Sequence, residues 1–92
     1  LMKHLKKAIE KAIDVAGIKS ALDQEAAVTL WSVVVGGAVA AVTCAEKVES
    51  GTLFVKVETS VWRQELHMQK EKIIKKINKK IGTKAIRDIR FI

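Results

Sequence analysis

Eight basic residues in the last third of the chain have the type and spacing to bind a polyanion. Lys72, Lys76 and Lys80 recur one helical turn apart, as do Lys75 and Lys79. Like charges at this spacing repel by about 0.2–0.5 kcal/mol per pair on an isolated helix, and a phosphodiester chain would relieve that repulsion. A solvated face kept basic for solubility is the alternative. The predicted nucleic-acid-binding residues are Lys72, Lys75, Lys76, Lys79, Lys80, Lys84, Arg87 and Arg90.

The positive charge is unevenly distributed along the chain. The formal net charge is +7, and residues 61–92 alone carry ten Lys or Arg against three acids. Residues 21–60 carry two Lys and five acids, so the middle of the chain is acidic. This asymmetry indicates an anionic partner, which could be DNA, RNA or an acidic protein surface.

Groups capable of catalysis are few. Cys44, His4 and His67 are the candidates, neither histidine has an aspartate close in sequence, and no Cys or His pair has metal-ligand spacing. No glycine-rich phosphate loop is present. We interpret Cys44 as a buried strand residue and His67 as a surface residue. The expectation is therefore a protein that is not an enzyme and uses no cofactor, metal or small-molecule substrate.

The basic residues require a helix and a strand to position them. Residues 60–82 predict one long helix, begun by Thr59 or Ser60 and ended by Gly82, with its lysines opposite an apolar face. That apolar face comprises Trp62, Leu66, Ile73, Ile74, Ile77 and Ile81. Trp31 and Trp62 could stack on bases, but their apolar surroundings favour the core.

Three strands are predicted around this helix. Residues 43–49 and 52–59 alternate, and the Ser50-Gly51 connection predicts an antiparallel hairpin. A last strand follows Gly82. Its Ala85, Arg87, Ile89 and Phe91 are expected to share one side.

Two helices are predicted ahead of the strands. An amphipathic helix over residues 3–16 should end at Gly17, and a second should start near Ala21 after a capping box at Ser20 and Asp23. The second is expected to pass through Gly36 and Gly37. The uncharged run over residues 26–45 reaches bilayer-spanning length, but its Ala, Val and Gly content and acidic flanks favour a protein core.

The predicted order is α-α-β-β-α-β, an α+β fold with a three-stranded sheet and helices packed on one face. The 92 residues are expected to form one domain. The single cysteine excludes an intramolecular disulfide, and no secretory segment is recognised, so a cytoplasmic location without membrane attachment is expected.

Several motifs together resemble the DciA family, bacterial adaptors that assist loading of the DnaB-type replicative helicase. They are Leu30-Trp31 with Gly36, Thr43, Gly51-Thr52-Leu53, Ser60-x-Trp62-x-x-Glu65-Leu66, Ile77-Asn78 with Gly82, and Ile89-Arg90-Phe91. The resemblance spans about residues 21–92, with residues 1–17 as an additional helix. Family members often have proline after the threonine, where this chain has Cys44.

The resemblance implies a KH-like domain that takes part in DNA replication. It also implies two partners, single-stranded or forked DNA and the replicative helicase. Two other functions remain open on the residues alone. One is a general RNA-binding module of KH-like shape, and the other is a protein-interaction domain with an acidic partner.

Overall fold

The helices and strands follow the predicted order. A computed structural model describes residues 15–92. Its helices are α1 (Val15–Val35), α2 (Gly37–Ala40), α3 (Ser60–Met68) and α4 (Lys70–Ile81), and its strands are β1 (Thr43–Glu49), β2 (Thr52–Val57) and β3 (Asp88–Phe91). The predicted α+β class is confirmed. The helix predicted over residues 3–16 lies almost wholly outside the described residues.

The sheet is mixed, with β2 in the middle. β1 and β2 pair antiparallel, and Glu49 faces Thr52 across the two-residue turn. Ser50 and Gly51 have φ values of 50° and 82°, as a tight hairpin turn with the twist of the strands requires. β2 and β3 run parallel with Leu53 beside Ile89. The predicted three-stranded sheet and its Ser50-Gly51 hairpin are therefore confirmed.

The core lies between one face of this sheet and the helices. Leu53, Val55 and Val57 of β2 are buried on that face, as their alternation predicts. The helices and the segment around β3 contribute Ala27, Trp31, Leu66, Ile73, Ile77, Ile86 and Ile89. Burial of each Val, Leu or Ile side chain in this set stabilises the fold by about 1.5–3 kcal/mol. The helices therefore pack on one face, as predicted.

Two predicted helix boundaries near glycines are wrong. α1 continues through Gly17 and Ser20, and the Ser20 hydroxyl accepts a hydrogen bond from Gln24 Nε2 (3.1 Å) instead of capping a new helix. A glycine inside a helix costs only about 1 kcal/mol relative to alanine, so the helix tolerates it. The second helix is expected to pass through Gly36, but Gly36 has φ 84° and separates α1 from α2. The chain uses this glycine-favoured conformation to turn toward β1.

The predicted single helix over residues 60–82 is divided at Gln69. This residue has φ −94° and ψ 3°, and its N–H is shared between the carbonyls of Glu65 (3.2 Å) and Leu66 (3.1 Å). α3 contacts β2 and β3, whereas α4 packs mainly on α1. Both helices also contact β3, so their packing partners differ only in part. The predicted ends are confirmed, since Thr59 Oγ1 accepts from Trp62 N and Gly82 has φ 92°.

The long uncharged run is divided among α1, α2 and β1. None of the helices within residues 15–92 combines the length and the apolar character needed to cross a bilayer. Trp31 in this run is buried and packs near Phe91, with ring centroids 6.3 Å apart.

Candidate nucleic-acid interface

α4 presents a continuous cationic surface because its sequence repeats apolar and basic residues at helical spacing. Ile73 and Ile77 are buried against the rest of the core. Five lysines of the helix are exposed, and we call them the α4 lysine face: Lys72, Lys75, Lys76, Lys79 and Lys80. The exposure of these five side chains agrees with the helical periodicity of the sequence.

The α4 lysine face is not neutralised by nearby carboxylates. Within residues 15–92, the ion pairs shorter than 4.0 Å are Lys47–Glu49 and Lys70–Asp88, and neither uses a lysine of this face. Glu71 lies one turn before Lys75 but makes no ion pair with it. No carboxylate of residues 15–92 therefore prevents the five ammonium groups from binding an external anion.

An apolar groove runs along one side of the α4 lysine face. Val33 and Val34 of α1 line it together with Lys76, Lys79 and Lys80, and its volume is about 420 Å³. Val33 is 62% exposed although it lies on a helix that contributes to the core. The groove therefore combines an apolar floor with a cationic rim. Such a surface fits a ligand that has both apolar and anionic parts, as a nucleotide does.

Lys84 lies just beyond the C-terminal end of α4. It is exposed and lines a second open groove, of about 310 Å³, with Lys19, Asp23 and Thr83. Thr83 Oγ1 donates a 3.4 Å hydrogen bond to Asp23 Oδ2, which ties this loop to α1. The Asp23 carboxylate reduces the positive potential here relative to α4.

Asn78 determines the path of the chain that follows α4. Its Nδ2 donates to the carbonyl of Ile86 (2.8 Å), and its Oδ1 accepts from the N–H of Ile86 (2.9 Å). Ile86 is buried and 1% exposed. The side-chain amide of Asn78 thereby donates one hydrogen bond to the backbone of Ile86 and accepts one from it, as the backbone of a neighbouring β-strand would. The sequence pattern did not identify this role, because Asn78 lies beside the apolar stripe of a helix and its partner is eight residues away.

The expected common side of the last strand is wrong in part. β3 begins only at Asp88, so Ala85 and Arg87 lie in the preceding loop, and Ile86 rather than Arg87 is buried. The Arg87 side chain donates from Nη2 to the Ser50 carbonyl (2.6 Å), while its N–H donates to the Gly51 carbonyl (2.8 Å). Arg87 therefore supports the hairpin turn, although its side chain remains exposed.

Arg90 does not join the α4 lysine face. Ile89 is buried toward the helices, and successive residues of a strand point to opposite faces. Arg90 is exposed and lies beside Phe54 on the face of the sheet away from the helices. The structure thus brings five of the eight predicted residues together on α4, places Lys84 and Arg87 in the following loop, and separates Arg90 from them.

An ion pair at the start of β3 engages Lys70, a lysine of α4 that is not among the predicted binding residues. Lys70 Nζ lies 3.0 Å from Asp88 Oδ1. The hydrogen bond from Lys70 lowers the pKa of the Asp88 carboxyl below its ordinary value, and the backbone N–H of Ile89 acts in the same direction. Asp88 is therefore charged at neutral pH, and Lys70 is a structural partner of that carboxylate.

The tryptophans and the cysteine take no part in a site on α4. Trp31 is buried and its Nε1 donates to Thr43 Oγ1 (2.8 Å), and Trp62 is half-buried against the core, as expected for core residues. The interpretation of Cys44 as buried is wrong, since it is exposed beside Lys56. Cys44 lies on the face of the sheet that points away from the helices, whereas His67 lies on α3, which packs on the other face. The Cys44 thiol and the His67 imidazole therefore do not meet.

The sequence of this chain matches the model of one known family. The family model described as "Dna[CI] antecedent, DciA" matches residues 4–91, nearly the whole chain. The chain belongs to the DciA family. This membership confirms the resemblance and implies a role in loading the DnaB-type helicase during DNA replication. No curated protein matches the chain.

The DciA motifs in this chain have structural roles in the described residues. Trp31 and Thr43 are hydrogen-bonded to each other, Asn78 holds Ile86, and Gly82 ends α4. These DciA residues stabilise the fold that displays the lysines. The lysines themselves are found by charge and periodicity, which are independent of the motifs.

Proposed function

We propose that this DciA-family chain is a non-enzymatic adaptor that holds single-stranded or forked DNA on the α4 lysine face while it assists loading of the replicative helicase. The observation that supports this proposal is the group of five exposed lysines without ion pairs to carboxylates of residues 15–92. The family supplies the helicase partner. Replication takes place in the bacterial cytoplasm, which is where we place the protein.

The geometry of α4 suits contacts to successive phosphates. Twelve residues of α-helix span about 18 Å, and lysines four positions apart are separated by about 6 Å along the axis. Lysine is a flexible point charge, so exact alignment with each phosphate is unnecessary. Each contact releases condensed counterions, which makes binding strong at low salt and weak at high salt. We expect no sequence specificity, because phosphate contacts do not distinguish bases.

A charge-reversal variant tests the DNA-binding part of this proposal. Lys72, Lys75, Lys76 and Lys79 are changed together to Glu, and the matched control changes the same four to Arg. Fluorescence anisotropy with a labelled single-stranded oligodeoxynucleotide at about 50 mM salt should show loss of binding for the Glu variant and retention for the Arg variant. Circular dichroism should be unchanged in both. Unaltered binding by the Glu variant contradicts the proposal.

Two comparisons separate this function from the alternatives. Competition with RNA of the same sequence tests for a KH-like RNA reader, which should prefer the 2′-hydroxyl, whereas the proposed adaptor should not prefer RNA. Failure to bind any nucleic acid at about 50 mM salt, combined with binding to an acidic protein, would instead indicate a protein-interaction domain.

The helicase part needs a separate measurement. The purified chain should retain the DnaB-type helicase from a bacterial lysate after nuclease treatment, because an adaptor contacts the helicase directly. Recovery that disappears after nuclease treatment would mean that DNA merely tethers the two proteins.

A further inference from the structure

The groove between α1 and α4 has an aliphatic floor that phosphate binding leaves unused. Val33 and Val34 form this floor, and Lys76, Lys79 and Lys80 line its rim, so we call it the α1–α4 groove. Val33 is 62% exposed, although valine is among the residue types that are most often buried. The phosphates of DNA need only the ammonium groups of the rim. The two valines therefore indicate a ligand that also has an apolar part.

α1 lacks the polar outer face that a surface helix normally has. Residues 26–35 of this helix carry no charge, and Thr29 and Ser32 are their only polar members. A helix that is apolar all round is typically covered on every side. Ala27 and Trp31 are covered by the core of the domain, whereas Val33 remains open. The open side of α1 is thus suited to packing against a further helix.

The rim of the groove is cationic, and no carboxylate of the groove balances it. α4 carries six lysines and one acid, Glu71, which precedes Lys76 by more than one turn. On α1 the last acid is Glu25, which lies eight residues, or about 12 Å along the axis, before Val33. No carboxylate lines the groove, and no ion pair within residues 15–92 uses a lysine of the rim. The ligand that fits is therefore anionic as well as apolar.

An aliphatic side chain fits the floor better than a nucleobase does. Bases without sequence preference bind proteins by stacking on aromatic rings, and no aromatic residue lines the groove. A leucine or isoleucine side chain, in contrast, loses water-exposed apolar surface when it packs on valine. Lys76 and Lys80 lie about 6 Å apart along the helix axis, which is also the spacing of carboxylates one turn apart on a partner helix. The groove thus matches an acidic helix in both its apolar and its charged parts.

We propose that the α1–α4 groove binds an acidic amphipathic helix of a partner protein, with an aliphatic side chain on Val33 and Val34 and carboxylates on Lys76 and Lys80. Helix-in-groove recognition uses apolar anchors three or four residues apart on the bound helix. The inference goes beyond DNA binding and rests on the proposed function in one respect, because Lys76 and Lys79 also belong to the α4 lysine face. The bound helix therefore displaces single-stranded DNA, so the partner releases DNA from the adaptor.

A designed peptide tests the groove without knowledge of the natural partner. The labelled parent probe is a helix of about 14 residues that repeats leucine and glutamate at helical spacing, and anisotropy measures its binding in the absence of DNA. Two matched probes replace every leucine by serine or every glutamate by glutamine, and a hydrocarbon staple keeps all three equally helical. The serine probe should bind about 10- to 100-fold more weakly than the parent, because it lacks the apolar anchor. The glutamine probe should also bind more weakly, because it lacks the charges that the rim attracts.

A single substitution in the floor tests where the parent probe binds. Val33→Ser should weaken binding of the parent probe about 5- to 20-fold and leave the affinity for single-stranded DNA unchanged. The matched control is Val61→Ser, which makes the same change at a valine that is 77% exposed on α3 and should alter neither affinity. Unlabelled parent probe should displace labelled DNA from wild-type protein, and displacement from Val33→Ser should need about 5- to 20-fold more peptide.

Several results would overturn the inference. One is equal binding of the parent and serine probes to wild-type protein, since charge alone would then explain binding. Another is unchanged affinity of Val33→Ser for the parent probe. Failure of the α4 proposal gives a different result, because the charge-reversal variant then keeps its DNA affinity while the parent probe still binds wild-type protein through Val33. If only the groove is wrong, DNA binding depends on the lysines and the parent probe does not distinguish Val33→Ser from wild-type protein.

Discussion

The side chain of Asn78 provides a quantitative test of how the fold is held beneath the lysines. The perturbation is Asn78→Ala. It removes both hydrogen bonds to Ile86, of 2.8 and 2.9 Å, and leaves the N–H and carbonyl of a buried residue without these partners. The helix itself should benefit, because alanine has a higher helix propensity than asparagine. The two effects have opposite signs, so the direction of the change is informative.

The magnitude follows from these two contributions. Each buried backbone group that loses its partner costs about 1–3 kcal/mol, so the pair costs about 2–6 kcal/mol. Alanine returns about 0.5 kcal/mol of helix propensity. The free energy of unfolding should therefore fall by about 1.5–5.5 kcal/mol. For a domain of this size, a loss of about 1.5 kcal/mol already lowers the melting temperature by about 6–12 °C.

Thermal denaturation followed by circular dichroism measures this change, with Lys79→Ala as the matched control on the same helix. Lys79 is exposed, and its replacement should change the melting temperature little. Hydrogen exchange gives a second measurement, since the amide of Ile86 should exchange faster in Asn78→Ala than in wild-type protein. A variant that melts at or above the wild-type temperature would mean that helix propensity alone governs this position, and it would refute the reasoning.

Two further predictions concern the hairpin and the core. Gly51 has φ 82°, and a Cβ there would lie 2.8 Å from Arg87 Nε, whereas a Cβ at Gly82, which has φ 92°, would meet nothing within 4 Å. Both alanine variants incur the left-handed backbone penalty of about 1–2 kcal/mol. Gly51→Ala must also displace the Arg87 side chain, so this variant should melt at a lower temperature than Gly82→Ala. Equal melting temperatures for the two variants would show that Arg87 adjusts freely. Thr43→Val should destabilise the domain by about 1–3 kcal/mol in chemical denaturation, and Thr43→Ser should not, because valine removes both the 2.8 Å acceptor of Trp31 Nε1 and the 2.8 Å donor to the Val39 carbonyl. A Thr43→Val variant as stable as wild-type protein would mean that these two hydrogen bonds contribute nothing.

Local patterns predicted much of the fold. The alternation in β2, the lysine and isoleucine periodicity in α4 and the Ser50-Gly51 turn each depend on a few neighbouring residues. The same is true of Gly82, whose place after an amphipathic helix matches the left-handed cap found there. These features were predictable because the physics that determines them is local.

Features that depend on tertiary packing were not predictable in this way. The sequence predicts a helix end at Gly17 and a continuous helix through Gly36, whereas Gly17 lies inside α1 and Gly36 follows its last residue. No glycine or proline in the sequence indicates the break at Gln69. The break separates α3 and α4, whose main packing partners differ.

The candidate site shows the same division between local and long-range information. The α4 lysine face could be found from the sequence because one helix carries all of it. The separation of Arg90 from these lysines could not, because only the register of the strands places Arg90 beside Phe54. The face on which Arg90 lies depends on which face of the sheet buries Ile89, and that too is set by packing.

The salt dependence of single-stranded DNA binding tests the central claim most directly. Log Kobs is measured against log salt concentration, from about 50 to 200 mM, for wild-type protein and for the double variant Lys75→Gln with Lys79→Gln. Each lost phosphate contact should reduce the slope by about 0.7, so the double variant should have a slope shallower by about 1.4. Arginine at the same two positions should preserve the wild-type slope. Identical slopes for wild-type protein and the glutamine variant would contradict the claim that the α4 lysine face binds DNA phosphates.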